Sequence, residues 1–404
     1  MADIPERKKI WIIFGLSFLI RLFFIFTLKN HFYFSDEPQN EIMIVNFLLG
    51  KGLIISSNLK AFRPPLYPIF ASMFFYNSGL WGVRFAQCFV GALTSVFIYL
   101  IGKKIFSTRI GWIAGIISCF YPFLIFYTGF LLTDALAILL TVISIWCLIH
   151  LVPLDNQDKS KQNLLLFSIL SGISLGLAGL ERPTMEAFVP FVLFFILSFR
   201  ESWIRKIKKI VIISVFFTLT LSPWIIRNYI IFHEFIPGTT MGSRVFWEGN
   251  NPYSIGGPSS YFPQQKLKNK TEIQMQHIYL ADTIQVIKTN PKRFLWLLWN
   301  KFKRFWAVVP NTKLYSSPKY KMVSVFSFGI LLPFFIIGFF LTLRNKKVQF
   351  LHLIIIFFTL FHMVLLASII YRAPIEPFII IIAVVGFLWL KDKIYEIKYH
   401  NTGV

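Results

Sequence analysis

Carboxylates are scarce in this chain. Across 404 residues, 18 Asp and Glu stand against 41 Lys and Arg, a formal net charge of +23. Cysteine is scarcer still. Cys88, Cys119 and Cys147 all fall inside apolar stretches, with neither metal-ligand spacing nor a disulfide framework, and read as small core residues. The strict alternation of a transmembrane barrel is absent. So are internal repeats, low-complexity tracts and a small-residue cleavage site after the first apolar span, which therefore reads as a retained anchor. The basic residues sit mostly in short loops between apolar spans. That placement suits anionic lipid headgroups better than nucleic acid, and no nucleic-acid partner is expected.

What is abundant is apolar surface. The chain is 56% hydrophobic with mean hydropathy +0.64, and apolar stretches of about 17–25 residues recur. In lipid the backbone must satisfy its own hydrogen bonds, so the pattern predicts an all-α polytopic membrane protein. Expected spans cover residues 10–28, 83–101, 110–127, 131–151, 163–180, 186–199, 210–226, 322–343, 350–370 and 374–390, about ten crossings by length. Basic clusters set their direction. Arg7-Lys8-Lys9, Lys103-Lys104 with Arg109, Arg205 to Lys209, and Arg344 to Lys347 are placed on the cytoplasmic side, with both termini. Loop 153–162 is also placed inside. The apolar stretch 66–80 then cannot be a complete crossing and is expected to pack into the outer interface or dip into it.

Three regions follow: an N-terminal transmembrane module, 1–226, with a first outer loop at 29–82; an extracytoplasmic segment, 227–321; and C-terminal spans with a basic tail, 322–404. In the outer segment, turn signals at Pro237-Gly238, Gly249-Asn250-Asn251-Pro252 and Gly256-Gly257-Pro258 predict an ordered loop. Two helices broken at Asn290-Pro291 follow. The second mixes Trp296, Trp299, Phe302 and Trp306 with Lys292, Arg293, Lys301, Lys303 and Arg304, the composition of a helix lying in the headgroup layer among membrane lipids.

Against this background the run Ser35-Asp36-Glu37-Pro38-Gln39-Asn40-Glu41 stands out, because its acids fall on the outer face. The same topology brings Arg63 (before Pro64-Pro65), Arg84, Asp134, the Glu181-Arg182-Pro183 junction with Glu186, Arg227, and Arg372 to that face. Singly, each has a plain structural explanation: arginines at helix ends snorkel and an Asp at a helix start caps it. Together they are equipment for an anionic headgroup, since arginine binds phosphate as a fixed fork and an aspartate can take a hydroxyl proton.

The order of Ser35-Asp36-Glu37, Arg63-Pro64-Pro65-Leu66-Tyr67-Pro68, Thr133-Asp134, Leu180-Glu181-Arg182-Pro183, Pro223-Trp224-Ile225-Ile226-Arg227-Asn228-Tyr229, Gly249-Asn250-Asn251-Pro252 and Tyr371-Arg372-Ala373-Pro374 resembles the GT-C glycosyltransferases. Among these it is most similar to bacterial relatives of protein O-mannosyltransferases and lipid A aminoarabinose transferases. The resemblance implies a bacterial inner-membrane enzyme that takes a sugar from a polyprenyl-phosphate donor on the outer face. The acceptor would be a glycan, lipid or protein. Asp36 would match the first-loop catalytic aspartate and Asp134 the second-loop one, while Arg63 stands where relatives often carry Lys. The expected mechanism is inverting. Asp36 is the base, Glu37 and Asp134 orient hydroxyls or share a divalent cation, and Arg63, Arg182 and Arg372 hold the lipid phosphate. Arg84, Arg227, Asn250 and Glu186 are further candidates. No metal-ligand set is readable. A lipid-linked sugar transporter or flippase is the alternative, and it would more often show internal repeats and helices broken at the midplane.

Overall fold

The computed structural model describes residues 4–153, 164–310 and 317–400; residues 154–162 of the expected inner loop lie outside the described residues. Among the described residues the chain is helical, with no strand beyond an isolated bridge between Ser56 and Leu59. The helices are α1 (Glu6–Phe26), α2 (Glu37–Leu48), α3 (Leu66–Ile105), α4 (Thr108–Phe120), α5 (Pro122–Phe126), α6 (Asp134–Ile149), α7 (Leu164–Glu181), α8 (Pro183–Leu197) and α9 (Trp203–Phe232). The outer segment and the C-terminal spans add α10 (Met241–Asn250), α11 (Gln264–Leu267), α12 (Glu272–Thr289), α13 (Pro291–Phe305), α14 (Pro318–Ser324), α15 (Ile330–Thr342), α16 (Gln349–Val364) and α17 (Glu376–His400).

Seven of these elements are long and apolar enough to cross a membrane: α1, α3, α7, α9 and the runs Pro318–Thr342, Lys346–Val364 and Ile369–Ile397. A bent pair, Thr108–Phe120 with Pro122–Gly129, makes an eighth if its 56° break counts within one span. The two remaining expected crossings fall on α6 and α8, with 16 and 15 residues. At about 1.5 Å per residue they reach about 22–24 Å, short of a hydrocarbon core of about 30 Å. Length therefore supports seven or eight spans, and the count of about ten stays an expectation. The chain is a multi-pass membrane protein.

Boundaries shift where caps override hydropathy. α3 runs for 40 residues, about 60 Å and twice the core thickness. It breaks at Gly79, whose φ of 53° and ψ of −144° suit only glycine. The arm before the break is too short to cross, as expected for residues 66–80. α9 continues past residue 226 to Phe232 and ends on a left-handed His233, so the outer segment opens later than expected. α16 ends at Val364 rather than near residue 370, and a 3-10 turn, Ile369–Ile375, leads into α17. The region expected as loop at 237–270 contains α10, whose last residue is Asn250. The break at Asn290-Pro291 lies where expected, because the Asn290 side chain caps Arg293 N and Pro291 takes the first helical position.

α6 is apolar all round and buried on nearly every face, as a central helix must be. It packs against α3, α7, α16 and the Ile369–Ile375 turn. Arg21, fully buried in α1, donates from Nη1 to Ser17 O at 3.1 Å and from Nη2 to Leu124 O at 3.4 Å, tying α1 to α5.

One node locks the outer segment to the spans. Lys301 on α13 is fully buried and donates from Nζ to Asn250 Oδ1 at 2.7 Å and to Val364 O at 2.9 Å. Asn250 Nδ2 in turn donates to Val364 O at 3.1 Å, and a Cβ on Gly249 would lie 1.9 Å from Leu365 O, so only glycine fits there. Asn250 is thus a structural cross-link. Burial, reinforced by the charge of Arg293, pushes the Lys301 ammonium down to about 7. Its value in the unfolded chain is about 10.4. Between these values the unfolded state holds a proton that the folded state lacks, so Lys301 makes stability rise from about pH 7 towards pH 10. Melting curves of Lys301→Met across that range are expected to show a flatter rise than those of the parent.

Candidate functional site

Asp36 occupies the position before α2, yet its side chain makes no capping bond. The carboxylate turns instead to Arg63, whose Nη2 lies 2.8 Å from Asp36 Oδ1. Gln39 braces the same guanidinium, accepting from Arg63 Nε and Nη2 at 2.9 and 2.8 Å. Arg63 is largely buried, while the Asp36 side chain is 55% exposed and open to a ligand.

A second pair forms beside the first. Asp134 opens α6 and is buried; its Oδ1 accepts from Arg182 Nη2. Arg182 is the single non-helical residue between α7 and α8, with φ −142° and ψ 116°. Pro183 disfavours helical backbone at the preceding position, so the sequence itself turns Arg182 out of the helix axis and towards α6.

Glu37 joins the two pairs. It is fully buried, and its Oε1 accepts from Tyr33 N at 2.7 Å and Phe34 N at 2.9 Å. Its Oε2 accepts from Leu131 N at 2.9 Å, while Asn40 Nδ2 donates to Leu131 O at 2.8 Å. Both oxygens of Glu37 are therefore occupied by backbone. The expected role of orienting substrate hydroxyls does not fit this placement, because a carboxylate sealed from the cleft has nothing to offer a substrate. Glu37→Ala would leave three amide N–H groups without their acceptor. We expect a loss of about 3 kcal/mol or more, read as a lower melting temperature in detergent, whereas a purely chemical role would leave melting unchanged.

A third clamp comes from the outer segment. Glu272, at the start of α12, accepts from Lys60 N at 2.6 Å, Ala61 N at 3.1 Å and Thr240 Oγ1 at 2.5 Å. It fixes the loop that carries Arg63.

The other candidates lie elsewhere or are already engaged. Arg372 is fully buried; it donates to Glu376 Oε1 at 2.9 Å, Phe305 O at 2.9 Å and Ala307 O at 3.0 Å, and its guanidinium lies 3.4 Å from the centre of the Phe328 ring. Only Nη2 lacks a partner. Arg84 is a buried cross-link to Gly129 O, Lys29 O and His31 O at 2.8, 3.0 and 3.5 Å. Arg227 stacks on Trp224 at 4.6 Å and donates to Asn228 Oδ1 at 2.8 Å. Glu186 lies against Gly238, where a Cβ would come within 3.0 Å of its Oε2.

Glu248, which the sequence does not single out, and Tyr371, which heads the Tyr371-Arg372-Ala373-Pro374 motif, lie within the electrostatic field of these groups. Glu248 on α10 feels the charge of Asp36, and Tyr371 lies within electrostatic reach of Arg182, Glu248, Asp36 and Asp134. Glu248 pairs with Arg244 at 3.0 Å. Burial pushes its carboxyl up, Arg244 pulls it down, and the Asp36 charge adds a smaller upward push. Among the described residues, no group of three or more His, Cys, Asp or Glu side chains is placed to hold a metal ion.

Known proteins resemble this arrangement at the level of fold. Residues 63–226 match the family model described as dolichyl-phosphate-mannose-protein mannosyltransferase. That segment includes Arg63, Asp134 and Arg182. The oligosaccharyltransferase of Archaeoglobus fulgidus in its apo form superposes with a TM-score of 0.58 at 13% identity, covering 98% of this chain and 52% of its own. The oligosaccharyltransferase AglB of the same organism, in complex with an inhibitory peptide and a dolichol-phosphate, superposes with a TM-score of 0.60 at 13% identity, covering 99% and 52%. This chain thus spans about half the length of these two solved structures. No curated protein matches it in sequence. With its helical membrane architecture, the chain shares the GT-C-like fold of these two oligosaccharyltransferase structures.

Proposed function

We propose that the protein moves a sugar from a polyprenyl-phosphate donor to an acceptor hydroxyl on the outer face of a bacterial inner membrane, with inversion at the anomeric carbon. The observation that carries this reading is the pairing of Asp36 with Arg63 and of Asp134 with Arg182, held side by side by Glu37. In the proposed step Asp36 takes the acceptor hydroxyl proton. The acceptor oxygen forms a bond to the anomeric carbon as the bond from that carbon to the phosphate oxygen breaks. The electron pair leaves with polyprenyl phosphate, and Asp36 ends the step protonated. The leaving group is a phosphate monoester, so it needs charge stabilisation more than protonation. Arg182 and Arg63 supply it, with Asp134 holding Arg182 in place, while Arg372 steadies the Ile369–Ile375 turn.

The test uses the full-length protein in proteoliposomes, with radiolabelled polyprenyl-phosphate hexoses and pentoses in the outer leaflet and a membrane extract as acceptor source. Transfer is expected to produce free polyprenyl phosphate and a labelled acceptor. If the donor instead crosses the bilayer intact and no sugar–phosphate bond is cleaved, the reading gives way to a transporter.

A further inference from the structure

Tyr67 and Gln87 are both fully buried and lie on opposite sides of the Gly79 break in α3. They are 20 residues apart, which in a straight helix is about 30 Å. Yet the Tyr67 hydroxyl donates to Gln87 Oε1 at 2.9 Å. The arm before the break therefore folds back along the span, and the approach is close enough that a Cβ on Gly82 would collide with Phe74 O. Arg63 stands just ahead of this arm, joined to Tyr67 through the stiff Pro64-Pro65 pair. The other end of Gln87 reaches the segment before α6. Its Nε2 donates to Thr128 O at 3.0 Å and to Phe130 O at 2.8 Å. Arg84 takes the carbonyl between them, Gly129 O, and Asn40 takes the next, Leu131 O. Four consecutive carbonyls are thus bound by side chains, two of them by Gln87, three residues before Asp134 opens α6.

A glutamine amide offers one acceptor oxygen and two N–H donors. Here the oxygen serves the Arg63 arm and both donors serve the turn that leads into Asp134. Glu37 fastens the same turn to α2, which follows Asp36. We infer that Gln87 is a positioning residue for the transfer step, joining the arm of Arg63 to the turn before Asp134 and so setting the spacing of the two acid–arginine pairs. The inference rests on the proposed transferase reaction and extends it by naming what aligns the two arginines. Gln87 acts through these residues, and the reason it matters for rate is geometric. A shift of about 1 Å in a reacting constellation can cost about a hundredfold.

The test uses the full-length protein in proteoliposomes, below the melting temperature of every variant. The donor is the polyprenyl-phosphate hexose or pentose that the parent turns over fastest, and sugar-free dolichyl phosphate is the competitive inhibitor. Gln87→Met keeps the length of the side chain and removes its polar atoms. It is expected to lower kcat about ten- to a hundredfold, with donor KM and inhibition by dolichyl phosphate within about threefold. Tyr67→Phe removes one hydroxyl and should lower kcat about three- to tenfold, the worth of one hydrogen bond. It carries the test alone if Gln87→Met does not fold. The double variant should lie within about twofold of Gln87→Met, because the hydroxyl acts through the glutamine. Ser72→Ala is the control: that hydroxyl lies on the same arm but bonds Ile69 O within its own helix at 2.7 Å, and kcat should stay within about twofold. Lowered melting with parental kcat would make Gln87 a tie of the fold and overturn the inference. So would a rise in donor KM at full kcat, losses that multiply in the double variant, or a Ser72→Ala loss equal to that of Tyr67→Phe. Should the parent protein release sugar from no polyprenyl-phosphate hexose or pentose, the transferase reading fails and this inference with it. An active parent with unchanged kcat in Gln87→Met and Tyr67→Phe removes only the inference.

Discussion

Asp36→Asn is expected to lower sugar transfer about a hundredfold or more, the scale of a general base, while affinity for polyprenyl phosphate stays near that of the parent. The substitution keeps size and one hydrogen-bond acceptor and removes the ability to hold a proton. The structure makes it a clean change, because Arg63 does not depend on Asp36 alone. Gln39 accepts from the same guanidinium at 2.8 and 2.9 Å, so the arginine stays in place when the charge opposite it is lost. A drop in kcat with inhibition by polyprenyl phosphate unchanged is the expected signature. Turnover near that of the parent would remove Asp36 from the role of base. Weakened lipid binding at full kcat would make it a partner of Arg63 and nothing more.

The sequence shows those parts of the site that depend on local rules. Asp36 is visible because acids are few, Arg182 because a proline follows it, and the α12–α13 break because Asn-Pro is both cap and helix start. The expected headgroup-layer helix is α13, which exposes Leu295, Trp296 and Trp299. What is hidden depends on partners far along the chain. Glu37 reads as a second site acid until its acceptor oxygen is found on Leu131 N, 94 residues away. Arg84 reads as a charge opening a span, but carbonyls 45 to 55 residues distant absorb it. Glu248 is masked for another reason. Arg244 and Glu248 are an i,i+4 pair in a segment whose Gly249-Asn250 turn signal closes a helix instead of bending a loop. The close approach of Gly249 to Leu365 is what places that helix, and no local pattern encodes it.

Arg182→Gln is expected to cause a large combined loss, and a second substitution separates its causes. Removing the guanidinium leaves Asp134 buried without its partner, a cost of about 3–5 kcal/mol when one member of a buried pair is lost. It also removes a charge-assisted contact to the lipid phosphate, about 1.5–3 kcal/mol, or roughly ten- to a hundredfold in transfer. The first loss should appear in melting temperature and the second in kcat/KM for the donor. Asp134→Asn combined with Arg182→Gln leaves no unpaired charge at the start of α6. The double variant is therefore expected to recover most of the stability lost by the single one, because the two residues touch and their effects are coupled. Transfer should not recover, since the phosphate still lacks its arginine. If transfer returns along with stability, the Asp134–Arg182 pair is a structural tie between α6 and the α7–α8 junction, and the phosphate-binding role must rest on Arg63. If melting is unchanged in the single variant while transfer collapses, Asp134 keeps its place without Arg182 and the arginine serves the leaving group alone.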